Sequence, residues 1–232
     1  MTKTILIVVT NHDRLGDTGK PTGLWLEELA TPRARFLEAG YAVALASPLG
    51  GKTPIDPASL SDEAANDDTR AFLADDSAMA ELESTAALNT LHPDRYDAVF
   101  CVGGHGTVFD FPDCRPLAGL ATQFIASDRP FAAVCHGVAA LLDAESAGEP
   151  LVRHRRLTAF SDKEEEMVGL TKAVPFLLET RLRELGAELR VGEPWQPEVV
   201  IDGSLMTGRN PASSGPLAEA VIAALAKAGD PG

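Results

Sequence analysis

Cys135-His136-Gly137 follows the apolar run Phe131 to Val134 with no spacer, and VAALLDA comes directly after it. Strand, thiol and helix in immediate succession put the Cys135 side chain on a sharp turn that projects it from the backbone, as in a nucleophile elbow. A thiolate there would attack carbonyl carbon, and the start of the following helix is expected to lower the thiol pKa. Cys101 and Cys114 lack this context. The first lies inside an apolar strand and the second in a loop without an activating neighbour, so both read as structural. Three cysteines form no even-numbered framework, which points to free thiols in a reducing compartment.

Other groups gather around this thiol if the chain is an α/β protein. Gly103-Gly104-His105-Gly106 ends the preceding strand, and its amides are placed either as an ordinary tight turn or as donors that stabilise an oxyanion together with the amide of His136. The run lacks the spacing of a dinucleotide fingerprint. His136 is a candidate to orient or deprotonate Cys135, although neighbours on a regular helix point apart and the pairing requires the strained turn. Glu28 follows the first strand and is a candidate proton shuttle, with Glu27 as its competitor. Asp162-Lys163-Glu164-Glu165-Glu166 reads as a solvated helix start, where acids are favoured. His12, His92, His105, His136 and His154 show no metal-ligand spacing, and neither metal nor organic cofactor is expected.

The elements that must position these residues alternate. Strands are expected at Thr4 to Val9, Tyr41 to Ala46, Asp97 to Val102 and Phe131 to Val134, and further ones near Leu157 to Phe160 and Val199 to Ile201. Helical spacing of Leu24, Leu29, Phe36 and Leu37 gives a helix capped by Gly40, with Pro32 expected to bend or break it. Asp62 to Leu91 reads as surface helices, and Leu117 to Ala126, Phe176 to Leu185 and Leu217 to Ala226 as further helices. The alternation predicts one doubly wound α/β domain over residues 1–232, with a mostly parallel sheet and helices on both faces. Ligands of such sheets collect at the carboxyl ends of the strands, where Cys135 falls.

Composition narrows the partners. The formal net charge of −14 disfavours nucleic acid and anionic membrane, and suits a small neutral substrate. The N-terminal hydrophobic run is too short for a signal peptide and nothing later reaches membrane-spanning length, so a cytoplasmic protein is expected.

TGLWLEELATP, GGHGTVFDFPD, AAVCHG, LTAFSDKEEE and DGSLMTGRNPAS occur in an order that resembles the ThiJ/PfpI family of the class I glutamine amidotransferase-like superfamily, in its glyoxalase III and heat-shock chaperone-like branch. The resemblance covers nearly the whole chain. It implies a flavodoxin-like sandwich, usually a homodimer, with Cys135 as nucleophile and His136 paired with a downstream acid that matches Glu165. It also matches Glu28 to the buried glutamate beside the cysteine, and places Gly104, His105 and Gly137 around the oxyanion and substrate. Val138 stands where many relatives have proline, and Ala159 replaces a glycine.

The activity implied is a glyoxalase III type lyase that converts methylglyoxal or a related 2-oxoaldehyde to a hydroxyacid such as D-lactate through a cysteine hemithioacetal, without glutathione. Competing readings are a protein deglycase, a cysteine peptidase or amide hydrolase with the same thiolate, and a stress holdase or redox sensor in which Cys135 is oxidised instead of turning over substrate.

Overall fold

The computed structural model describes residues 2–227. The β-branched and aliphatic run at the N-terminus forms β1 (Thr4–Val8), and the chain then builds α1 (Leu26–Glu38), β2 (Ala42–Ser47), α2 (Asp67–Ala74), α3 (Asp76–Glu83), β3 (Ala86–Ala87) and β4 (Ala98–Cys101). It continues through α4 (Thr107–Asp110), α5 (Arg115–Ala126), β5 (Phe131–Val134), α6 (Asp162–Met167), α7 (Leu178–Glu184), β6 (Val199–Asp202), β7 (Leu205–Gly208) and α8 (Ser214–Lys227). The seven labelled strands make one sheet in the order β6-β7-β5-β4-β1-β2-β3, and two-stranded ribbons lie outside it. Within that sheet, among the described residues, the β6–β7 pair is antiparallel and the others are parallel. The fold is therefore α/β with a mostly parallel sheet flanked by helices, as expected.

Strand residues alternate between two cores because successive side chains point to opposite faces. Leu6, Val8, Val99, Cys101, Phe131 and Ala133 pack with α5 and α7 on one face. Ile5, Ile7, Phe100, Val102, Ala132 and Val134 pack with α1, α2, α3 and α8 on the other. Both faces of β1, β4 and β5 are dry, which is why these strands read as continuous apolar runs. From β1 the chain winds outward to β2 and β3 on one side, and to β4, β5 and β7 on the other. Between β1 and β4 lies the switch point, where the loops after the strands splay apart.

Three expectations are corrected. Pro32 does not end its helix: α1 runs unbroken through it, because Leu26, Leu29 and Phe36 are buried against the sheet and packing outweighs the one backbone bond that proline cannot make. The segment expected as a strand at Leu157 to Phe160 pairs only at Arg156–Leu157, with Glu188–Leu189, outside the main sheet. The turn after Cys135 is a 3-10 helix, Cys135–Leu141, instead of the start of an α-helix. Among the described residues no helix is long and apolar enough to cross a membrane.

Phe36 fixes α1 to the sheet through an edge contact with Phe100 at 5.7 Å between centroids, and neither ring is exposed. Phe36→Ala is expected to cost about 3–5 kcal/mol of folding stability. A lowered urea midpoint with an unchanged slope would confirm this, and an unchanged midpoint would contradict it.

Candidate functional site

Cys135 and His136 directly follow β5, and Gly103, Gly104 and His105 follow β4 on the neighbouring strand. β5 ends at Val134 in extended conformation, and Cys135 then turns to φ 57°, the left-handed region that costs a non-glycine residue about 1–3 kcal/mol. That turn swings the Cys135 side chain to the α1 face of the sheet. His136 is thereby released to the opposite flank of the sulfur, with its Nδ1 3.4 Å from Sγ. The pairing that a regular helix would forbid is thus made by the strained turn.

Glu28 enters from the first turn of α1 and is wholly buried. Its Oε2 accepts the Gly103 amide at 2.9 Å, and Oε1 has no nitrogen or oxygen partner among the described residues. Burial pushes its carboxyl up to about 8, with a hydrogen bond to Cys135 working in the other direction. At neutral pH Glu28 therefore carries a proton, and the orphaned oxygen is the natural place for it. Gly103 permits this approach: a Cβ there would lie 2.9 Å from that of Cys135 and collide with Glu28 Oε2. Glu27, its competitor, lies only half-buried, where Asn66 Nδ2 donates to it at 3.3 Å.

Burial and the charge of Glu28 also push the Cys135 thiol up, despite the His136 amide pointing at the sulfur. This corrects the expectation of a depressed thiol pKa. A 3-10 turn presents few aligned dipoles, and desolvation outweighs them. Burial pushes Cys101 up as well, and Cys114, in its half-buried loop, likewise.

Glu165 projects from α6 between two imidazoles. His136 Nε2 lies 2.7 Å from its Oε2, and His105 Nε2 lies 2.9 Å from its Oε1. Burial opposes its charge, but the hydrogen bonds from His105 and His136 outweigh burial and hold the carboxyl well below the usual range. Burial, and then the nearby His105 ring at 4.2 Å, pushes His136 below the ordinary imidazole range. A neutral His136 whose Nε2–H faces a carboxylate leaves Nδ1 free to accept the thiol proton.

The neighbouring glutamates have separate tasks. Glu164 caps α6, its Oε2 accepting from the Ser161 hydroxyl at 2.7 Å, while its Oε1 accepts from the Trp195 amide and from Asn210 Nδ2, each at 2.9 Å. Glu166 is exposed and pairs with Lys163. Sequence spacing left these three glutamates interchangeable, and the capping box resolves them.

Gly104 adopts φ 101°, and a Cβ there would come within 2.5 Å of the Trp25 amide nitrogen. The His136 N–H points at the sulfur of Cys135. Gly137 packs against the Cys101 and Val102 carbonyls, each of which would lie 2.7 Å from a Cβ there. The spacing argument missed the second role of His105, since it assigned this residue to the oxyanion loop alone. It also missed Phe160, whose ring lies 4.4 Å from that of His136, and Arg209, which is fully buried and donates to the Glu193 and Gln196 carbonyls. Only the motifs LTAFSDKEEE and DGSLMTGRNPAS hinted that these segments belong together.

His105, His136 and Glu165 place their ligating atoms within 4.8 Å of one another, a donor set that a divalent metal accepts. No spacing signals this, because the three come from separate segments of the chain. Hydrogen bonds from both imidazoles already satisfy the carboxylate, so the same geometry is complete with protons alone.

The sequence model of the DJ-1/PfpI family matches residues 23–224. Glyoxalase 3 of Candida albicans is 31% identical over 97% of this chain and 98% of its own length. A glutathione-independent glyoxalase of Saccharomyces cerevisiae is 31% identical over 91% of this chain and 93% of its own. Among solved structures, the rapid encystment protein of Francisella tularensis superposes with TM-score 0.93 at 36% identity, covering 97% of this chain and 99% of that one. The Candida albicans glyoxalase III structure gives 0.86 at 30% identity, covering 96% and 97%.

The two carboxylates drive the pH dependence of stability in opposite directions. For Glu28 the folded pKa, about 8, lies above the unfolded value of 4.5, so its contribution is full below 4.5 and is lost as pH rises toward 8. Glu28→Gln should therefore stabilise the fold at pH 7, by on the order of 3 kcal/mol. For Glu165 the folded value is depressed, so its contribution is present above 4.5 and is lost as pH falls. Glu165→Gln should flatten the acid limb. Urea midpoints measured from about pH 2 to 8 test both signs, and a destabilised Glu28→Gln protein at pH 7 would contradict the protonated carboxyl.

Proposed function

Since the chain belongs to the DJ-1/PfpI family, we propose that it is a glutathione-independent glyoxalase that converts methylglyoxal or a related 2-oxoaldehyde to a hydroxyacid such as lactate. The observation that carries this reading is the placement of one thiol between two different proton-handling groups, the buried Glu28 carboxyl on one side and the neutral His136 imidazole on the other. An isomerisation that must move protons between sulfur, oxygen and two adjacent carbons needs both. Relatives that cover nearly all of the chain and are named glyoxalases support the same substrate class.

In the proposed sequence, Nδ1 of His136 takes the thiol proton while Glu165 holds its Nε2–H and offsets the developing charge. The sulfur adds to the aldehyde carbon, and the aldehyde oxygen, flanked by the amides of Gly104 and His136, becomes the hydroxyl of a hemithioacetal. Glu28 in its carboxylate form removes the proton from that carbon, and the electron pair moves to the ketone oxygen, which takes up the hydroxyl proton of the first carbon as an enediolate forms. Returning the proton to the second carbon gives a thioester of the 2-hydroxyacid. The first carbon is oxidised and the second reduced, so no external oxidant or reductant enters. Water then cleaves the thioester, releases the hydroxyacid and restores the thiol.

Glu28 and Cys135 resist ionisation together and lose their protons in two steps, as interacting pairs do. The working form holds one proton between them. Turnover of methylglyoxal without glutathione, followed as lactate, should therefore rise with pH through about 8. Cys135→Ser should abolish it, Glu28→Gln should lower it roughly 10² to 10⁴-fold and remove the rising limb, and Glu165→Gln should cost less. Full lactate production by Cys135→Ser protein would sink the thiol mechanism. Near-normal turnover in Glu28→Gln with a large loss in Glu165→Gln would reassign the proton shuttle.

A further inference from the structure

A cavity of about 380 Å³ opens beside His105. Leu15, Pro21, Trp25, Pro57, Val168 and Leu170 line it, with Ala58 at its edge and Lys20 at its mouth. Its walls come from elements that also hold the thiol's partners. Trp25 directly precedes α1, which carries Glu28, and its amide donates to Gly103 at 3.1 Å. Val168 and Leu170 follow α6, which carries Glu165, and the Leu170 amide donates back to the Glu165 carbonyl. The one carboxylate in the lining, Asp56, is already occupied, accepting from the Thr22 hydroxyl at 2.7 Å and the Ala58 amide at 2.9 Å. Val168 is 41% exposed, so an apolar side chain stands at the rim with no protein surface covering it.

These walls are unneeded for methylglyoxal. A methyl group would leave most of the cavity empty, since an indole, two prolines and three aliphatic side chains make up most of its wall. Besides Asp56, its polar groups are Lys20, His105 and the Trp25 Nε1–H, which has no partner among the described residues. The walls suit a flat apolar substituent beside the Trp25 ring, and His105 in the same lining lies 4.2 Å ring to ring from His136, whose Nδ1 is 3.4 Å from the sulfur. A larger cavity of about 790 Å³, between Arg14 and Lys172, shares no lining residue with this one's walls and does not include His105.

We propose that this cavity is the side-chain subsite of the reaction and that it selects 2-oxoaldehydes bearing an aryl group over methylglyoxal. The inference rests on the glyoxalase reading given above. Burying even part of an aromatic ring in such a wall is worth at least ~10-fold in kcat/KM.

The test compares phenylglyoxal with methylglyoxal on the purified protein without glutathione, following mandelate and lactate. The ratio of the two kcat/KM values should exceed ten in the wild type and fall at least tenfold in Ala58→Trp, which fills the cavity, and in Val168→Asp, which places a charge at its rim. Val168 is exposed, so the second variant preserves a readout if the first fails to fold. Acetophenone, which has the ring but no aldehyde, reports on the subsite without chemistry. Its binding to Cys135→Ser protein, seen by saturation-transfer NMR, should disappear in the same two cavity variants. Turnover of methylglyoxal with no phenylglyoxal preference and no acetophenone binding would overturn the subsite and leave the glyoxalase reading standing. Acetophenone binding that the variants abolish, with neither aldehyde turned over, would overturn the reaction and leave an aryl-binding cavity.

Discussion

The left-handed turn at Cys135 is the constraint around which the site is arranged. A side chain at φ 57° directly after a buried strand cannot be absorbed into either core by simple alternation, so sulfur and imidazole leave the backbone on different sides. Were the chain to continue regularly, Cys135 would face one core and His136 the other, and no contact between them would exist. The strain is sustained by what surrounds it. The strand before the turn pairs with a neighbour on each side, and the 3-10 turn after it is buried throughout.

Around that turn, charge is divided unequally. On the α1 side, burial with a single amide donor keeps Glu28 protonated, while on the α6 side two imidazoles keep Glu165 ionised. Two carboxyl groups of identical chemistry are thus driven apart by their surroundings, one toward the pH at which proton transfer is effective and one toward permanent charge. Glu28 gives up folding stability for this, as buried acids at functional positions commonly do.

The sheet and its flanking helices were legible in the sequence because strands dry on both faces leave unbroken apolar runs and helices leave a 3.6-residue repeat. Position relative to such a run was enough to single out Cys135. The thiol pKa was misjudged, since desolvation depends on what packs overhead and a sequence does not display that. His105 was underestimated for a related reason: its partner Glu165 lies 60 residues away and only the folded chain brings their atoms to 2.9 Å. β7 reads Leu205-Met206-Thr207-Gly208, where a threonine and a glycine interrupt the apolar run that marks β4 and β5.

α6 holds Glu164 and Glu165 side by side, one facing Ser161, Trp195 and Asn210, the other facing two histidines. Six residues leave that helix no slack, so the cap that starts it also sets the rotation of the carboxylate between the imidazoles. Insertion or deletion of one residue in this segment would rotate it by about 100° and exchange the two glutamates. The anchor would then face the histidines and the charge would face the anchor's partners. Point substitution can explore this helix freely on its outer face, at Lys163 and Glu166, but its length is closed to variation.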